Sequence, residues 1–208
     1  MGSGTGITNF TEGIVDFAAS DAAITDDLKL SREAYSGIFL GKITKWNDPA
    51  IAKTNEGVKL PDTAITVCGR SDGSGTTLVF AKHLSTISPD FKSQVGEATT
   101  VTWPTGVTAR GNSGVAGLVK QTLGAIGYIE YAHAKDSQLS FAQLQNKSGA
   151  FVTATPESCA VTLNTTQFSS DNLRAWPSDP MPKMLILSPH SAGSCCTRNM
   201  TAKRFGGL

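Results

Sequence analysis

The stretch GRSDGSGTTLVF (residues 69–80) brings Arg70, Asp72, Ser74, Gly75 and Thr76 together just ahead of an apolar run. If the run is a helix, its first N–H groups and the positive end of its dipole favour an anion. Glycine lets the backbone approach closely, the hydroxyls add donors, and Arg70 offers a planar fork for oxyanion oxygens. Asp72 is the odd member, because a bare carboxylate beside a dianion in a desolvated site is strongly repelled. Standing two positions from Arg70 on an extended segment, it falls on the same side of the chain and can pair with the guanidinium, holding the fork in place. Asp21, which follows the apolar segment VDFAAS, raises the same question. A carboxylate there can accept a hydrogen bond from a ligand that carries a proton. Phosphate carries one at neutral pH and sulfate does not, so such an acceptor selects between them. Plainer readings stand beside these: Asp21 as a helix cap and Asp72 as a turn residue.

Other chemistries fit less well. No GxxxxGK[ST] phosphate loop occurs, and no G-x-G-x-x-G follows a strand. Gly69-Arg70-Ser71-Asp72-Gly73 does satisfy G-x-S-x-G, the elbow of serine hydrolases, with Ser71 as the nucleophile. That alternative needs an acid and then a histidine downstream, and the histidines are His83, on the helix following Ser71, His133 and His190. The four cysteines, Cys68, Cys159, Cys195 and Cys196, lack the C-x-x-C spacing of a zinc site, so no metal and no cofactor is expected. Cys68 lies in an apolar strand pattern as a small buried residue, and pairing of Cys159 with Cys195 or Cys196 stays open. A net charge of +1 over 208 residues creates no broad field for nucleic acid or an anionic membrane. The apolar runs, such as KMLILS, are far shorter than the roughly 20 residues of a membrane span. Met1 leads directly into glycine-rich sequence, without the basic region and apolar core of a signal peptide.

These residues need elements to hold them. The pattern predicts a helix from about residue 7, a strand over Val15–Ala19, and a helix over SREAYSGIFLGKI capped by Ser31. A short helix follows in NDPAIAKTN, with Asp48 as cap and Pro49 at its first position. A strand in PDTAITVCGR delivers Arg70, a helix runs from about Ser74 to Leu84, and another comes after SPDF. Then TARGNSGVAGLVKQTLGAIGYIEY reads as a glycine loop, a helix stopped at Gly124 and a strand over Ala125–Glu130. Strands alternating with helices define an α/β class. A strand, a Gly/Ser/Thr loop and a helix recur at 69–77 and 110–115, and the loop and helix alone at 2–7.

GSGTGI, VDFAASDA, IFLGKITKWNDPAIA, RSDGSGTTLVFAKHLS, GNSGVAGLVKQTLGAIGYIEYA and AWP, in that order over about residues 2–177, resemble the periplasmic phosphate-binding proteins of the bacterial Pst phosphate ABC transporter. The resemblance implies a type II periplasmic-binding-protein architecture: two α/β lobes on a hinge, closing over one dehydrated phosphate. Residues 1–27 match a remnant of the first lobe, 28–177 a nearly complete second lobe, and 178–208 nothing in the family, so most of the first lobe is missing. By the same resemblance Ser3 donates its hydroxyl and N–H, Asp21 accepts the phosphate proton, Arg70 is the guanidinium oriented by Asp72, and Ser74, Gly75 and Thr76 are donors at a helix start. The loop Gly111–Gly114 is not a phosphate contact in the family and is expected to serve packing. The implied protein is a monomeric, periplasmic or cell-envelope solute carrier, not an enzyme. It takes inorganic phosphate to the permease subunits and binds no nucleic acid. Outside the binding class, two alternatives remain: the Ser71 hydrolase, and a fragment or interaction module built on the second lobe.

Overall fold

The computed structural model describes residues 28–155 and three further strand segments, at 17–18, 185–187 and 196–197. Its main sheet grows from β3 (Thr66–Arg70), with β4 (Val107–Ala109) and β5 (Ala125–Tyr128) parallel to it on either side. The chain leaves β3 through α3 (Gly75–Ile87) and α4 (Pro89–Gln94) to β4, and returns through α5 (Gly111–Gln121) to β5. Because β4 and β5 flank β3, the chain reverses direction there. The carboxyl ends of parallel strands at such a reversal leave a crevice suited to a ligand.

Strand alternation divides the core in two. Val67, Ile126 and Tyr128 face one side, where they pack with Phe80, Ala81 and Leu84 of α3 and with Tyr35, Ile38 and Phe39 of α1 (Arg32–Phe39). Cys68 and Ala125 face the other, against Val115, Ala116 and Val119 of α5. A sheet covered on both faces explains why TVCGR and AIGY are almost wholly buried. Burial among apolar neighbours pushes the Cys68 thiol up to about 11, so it stays protonated and inert at neutral pH.

Local chemistry sets the helix limits much as the pattern predicts. The Ser31 hydroxyl accepts the Ala34 N–H at 3.1 Å to start α1, and the Asp48 carboxylate accepts the Ala50 N–H at 2.9 Å to start α2 (Pro49–Ala52). The first of these helices ends earlier than expected, at Phe39, where Gly41 turns the chain with φ +72°. Ser88 closes one helix and opens the next, so α4 contains the SPDF proline and aspartate instead of following them: its N–H donates to Leu84 O at 2.9 Å, and its hydroxyl accepts the Phe91 N–H at 3.2 Å. The Ala125–Glu130 expectation also shortens, because Glu130 already precedes α6 (Tyr131–Asp136).

Two smaller sheets complete the description. In one, β2 (Lys29–Leu30) runs parallel to β7 (Gln143–Gln145), which pairs antiparallel with β8 (Phe151–Val152). In the other, β1 (Phe17–Ala18) pairs antiparallel with β10 (Cys196–Thr197). Beyond residue 177, Leu185–Leu187 forms β9, antiparallel to β5 on one edge and to β6 (Ser140–Phe141) on the other. A short apolar run flanked by proline, serine and glycine is weak as a local signal. Between two strand edges its backbone finds donors and acceptors on both sides. The main sheet therefore has the order β4-β3-β5-β9-β6.

Candidate anion-binding site

Arg70 ends β3, and 9% of its side chain is exposed. Its Nε donates to Asp72 Oδ1 at 2.8 Å and its Nη2 to Asp72 Oδ2 at 2.7 Å, the bidentate pairing that the two-residue spacing suggests. Nη1 donates to Asn112 Oδ1 at 2.8 Å. Among the described residues three of the five guanidinium N–H groups are thereby committed, which leaves one on each terminal nitrogen for a ligand. So Asp72 takes one edge of the fork and aims the rest. The carboxylate also accepts the Gly111 N–H at 3.0 Å.

The hydrogen bonds from Arg70, then the Gly111 N–H, hold the Asp72 carboxyl well below the usual carboxylate range. Asp72 in turn strengthens the hold of Arg70 on its proton. A group with a depressed folded-state pKa contributes stability above its unfolded value, near pH 4, and that contribution is lost as pH falls through the lower folded value. Asp72→Asn should therefore be less stable than the wild type at pH 7. Its deficit should be unchanged down to about pH 5 and shrink only in stronger acid. Urea unfolding of both proteins across this range measures it, and a deficit independent of pH would contradict the ion-pair account.

The start of α3 lies beside this pair. Ser74 is its N-cap, buried, with the hydroxyl oxygen accepting the Thr77 N–H at 3.3 Å and its own N–H donating to Thr99 O at 2.8 Å. The hydroxyl proton of Ser74 is not used by that cap. Gly75 and Thr76 hold the first two helical positions, whose N–H groups have no intrahelical acceptor. The Tyr128 hydroxyl, at the end of β5, fixes the helix to the sheet: it accepts the Arg70 N–H at 3.2 Å and shares a hydrogen bond with Thr77 Oγ1 at 2.7 Å. Below it Phe39, Phe80 and Trp103 pack around the Tyr128 ring with centroids 4.5 to 6.2 Å away. Trp103 lies directly over Gly69, where a Cβ would fall 2.4 Å from the indole nitrogen. Glycine before Arg70 thus admits the indole that supports the site.

The structure brings Arg70, Asp72, Ser74, Gly75 and Thr76 to one place, at the carboxyl end of β3. Ser3 and Asp21 lie outside the described residues. Ser71 is exposed, and its N–H continues the β3–β4 ladder to Ala109 O at 3.0 Å. His83 faces the core, where its Nε2 meets the Tyr35 hydroxyl at 3.0 Å, and His133 is exposed on α6. Among the described residues no hydrogen bond joins Ser71 to a histidine, and the serine hydrolase reading finds no support. The glycine stretch at 111–114, expected as a loop, forms the first turn of α5 and does more than the packing expected of it. Gly114 does pack closely, with room for no more than a tight Cβ against Ala109 at 3.1 Å. Gly111 and Asn112, however, hold the Asp72–Arg70 pair. Asn112, Tyr128 and Glu130 were not singled out from the sequence. The recurrence of a Gly-rich loop after each of two parallel strands was the available signal, since both loops must open at the same sheet end.

Comparison with known proteins places the chain among relatives of known name. "Phosphate-binding protein PstS" of Pasteurella multocida is 52% identical over 143 residues, covering 69% of this chain and 42% of that protein. The protein of the same name from Xylella fastidiosa is 38% identical over 200 residues, covering 82% of this chain and 55% of that one. The chain thus spans roughly half the length of these curated relatives. Among solved structures, a DING protein superposes with a TM-score of 0.51 at 20% identity, over 82% of this chain and 55% of that one. A human phosphate binding apolipoprotein gives 0.51 at 21% identity, over 83% and 56%, and both likenesses bear on the fold. The profile of the PBP superfamily domain matches residues 25–185, and the chain belongs to that superfamily.

Proposed function

We propose that this chain binds inorganic phosphate and serves as, or forms part of, the solute-binding component that delivers it to the permease subunits of a phosphate ABC importer. The observation that carries this reading is the Arg70 guanidinium, fixed by Asp72 and Asn112 with one N–H left on each terminal nitrogen, next to the open N–H groups that begin α3. An oxyanion placed there meets charged donors, backbone donors and the hydroxyls of Ser74 and Thr76 without displacing Asp72. The names of the relatives from Pasteurella and Xylella point to the same ligand. The protein works as a binder, not a catalyst, in the periplasm or cell envelope and as a monomer. Ser3 and Asp21 complete the site from a first lobe, and residues 28–177 form the second.

Titration calorimetry of the 208-residue chain with inorganic phosphate and with sulfate tests the function directly. Phosphate should bind and sulfate should not compete. Asp21→Asn replaces an acceptor with a donor and removes a charge. It should raise sulfate affinity by about 1–3 kcal/mol and so narrow the phosphate-to-sulfate ratio. A helix-capping Asp21 would instead lower the melting temperature and leave the ratio intact. A chain that binds neither anion refutes the function for this polypeptide.

A further inference from the structure

Glu130 stands two residues beyond Tyr128, at the N-cap position of α6, yet its carboxylate makes no capping bond to that helix. It reaches across instead to the start of α3, where Glu130 Oε1 accepts the Thr76 hydroxyl at 3.3 Å. Its negative charge extends to Arg70, adding to the influences that keep the guanidinium protonated. The two carboxylates of this region differ in kind. Asp72 is enclosed by the guanidinium and the Gly111 N–H, and its charge is spent on orientation. Glu130 is exposed, and among the described residues its side chain holds only the Thr76 hydroxyl. A hydroxyl has one proton to give. While Glu130 has it, Thr76 turns a lone pair toward an arriving anion, and the free carboxylate charge opposes that anion across a short distance.

We propose that Glu130 is a built-in competitor of the ligand: it holds the Thr76 hydroxyl in the empty site, yields it when an oxyanion docks, and so limits affinity and speeds release. The inference rests on the phosphate-binding reading above. A carrier that must surrender its cargo gains from a nearby group that re-satisfies the vacated donor. The competing structural role is favourable interaction of Glu130 with the positive start of α3, which would change stability and not ligand affinity.

The test uses the full chain, Glu130→Gln and Glu130→Ala, with calorimetry for affinity and stopped-flow mixing for dissociation, at one ionic strength. Both variants should bind inorganic phosphate about three- to tenfold more tightly, with the gain in slower dissociation. In a Thr76→Val background the gain should shrink, since the contested hydroxyl is gone. Equal or weaker phosphate binding by both folded variants overturns the inference while the function stands. Weaker phosphate with stronger sulfate binding in Glu130→Gln also overturns it, by making Glu130 an acceptor of the ligand proton. A wild-type chain that binds no phosphate refutes the function, and the inference falls with it.

Discussion

Replacing Arg70 with lysine should raise the phosphate dissociation constant about a hundredfold or more, even though the charge is kept. The guanidinium spends three N–H groups on Asp72 and Asn112 and still has one on each terminal nitrogen. An ammonium has three donors in all, with no planar edge to divide between a carboxylate and an anion. If lysine keeps Asp72 it loses the ligand, and if it turns to the ligand it leaves a carboxylate facing an anion without its partner. Each charged hydrogen bond to the anion is worth about 1.5–3 kcal/mol, so losing both accounts for a factor of that size or larger. Calorimetry on the variant measures it, with the melting temperature as a separate control. Phosphate affinity within a fewfold of wild type would remove Arg70 from the site.

Gly106→Ala should be among the most destabilising single substitutions in the described residues, at about 3–5 kcal/mol. Gly106 has φ +93°, and a Cβ on it would fall 2.0 Å from the Val67 carbonyl oxygen. No rotamer relieves this, because backbone geometry fixes the Cβ and the oxygen is itself a backbone atom. Either β4 moves away from β3 or the chain before Val107 changes conformation. Each route weakens the pairing of Val107 with Cys68, and with it the loop that brings Gly111 and Asn112 to Asp72 and Arg70. The melting temperature should drop by about 10 °C, and phosphate binding by the remaining folded protein should weaken as well. A variant that melts within a degree or two of wild type would show that the β3–β4 approach is not under this constraint.

Much of the site was legible because its chemistry is local. Arg70 and Asp72 pair across two residues, and Ser74 caps the helix it precedes; in both cases the spacing along the chain dictates the geometry. The same holds for Ser31 and Asp48, whose side chains reach N–H groups two or three residues on. The short apolar runs in PDTAITVCGR and GAIGYIEY likewise announced strands, and the alternation of strands with helices announced the α/β class.

The partners that tertiary structure supplied lie far along the chain. Asn112 reaches Arg70 across 42 residues, Tyr128 reaches it across 58, and Glu130 reaches Thr76 across 54. No local spacing encodes such contacts. They exist because β4 and β5 flank β3 in parallel, so the loops that follow all three strands open at one end of the sheet. The strand at Leu185–Leu187 belongs with them: its three apolar residues carry almost no signal alone, and acquire a place only between the edges of β5 and β6. By itself the sequence determined which residues could grip an anion and which strand and helix would present them. The packing of the sheet decided how the Arg70–Asp72 pair is braced by Asn112 and Gly111, and that Glu130 meets Thr76.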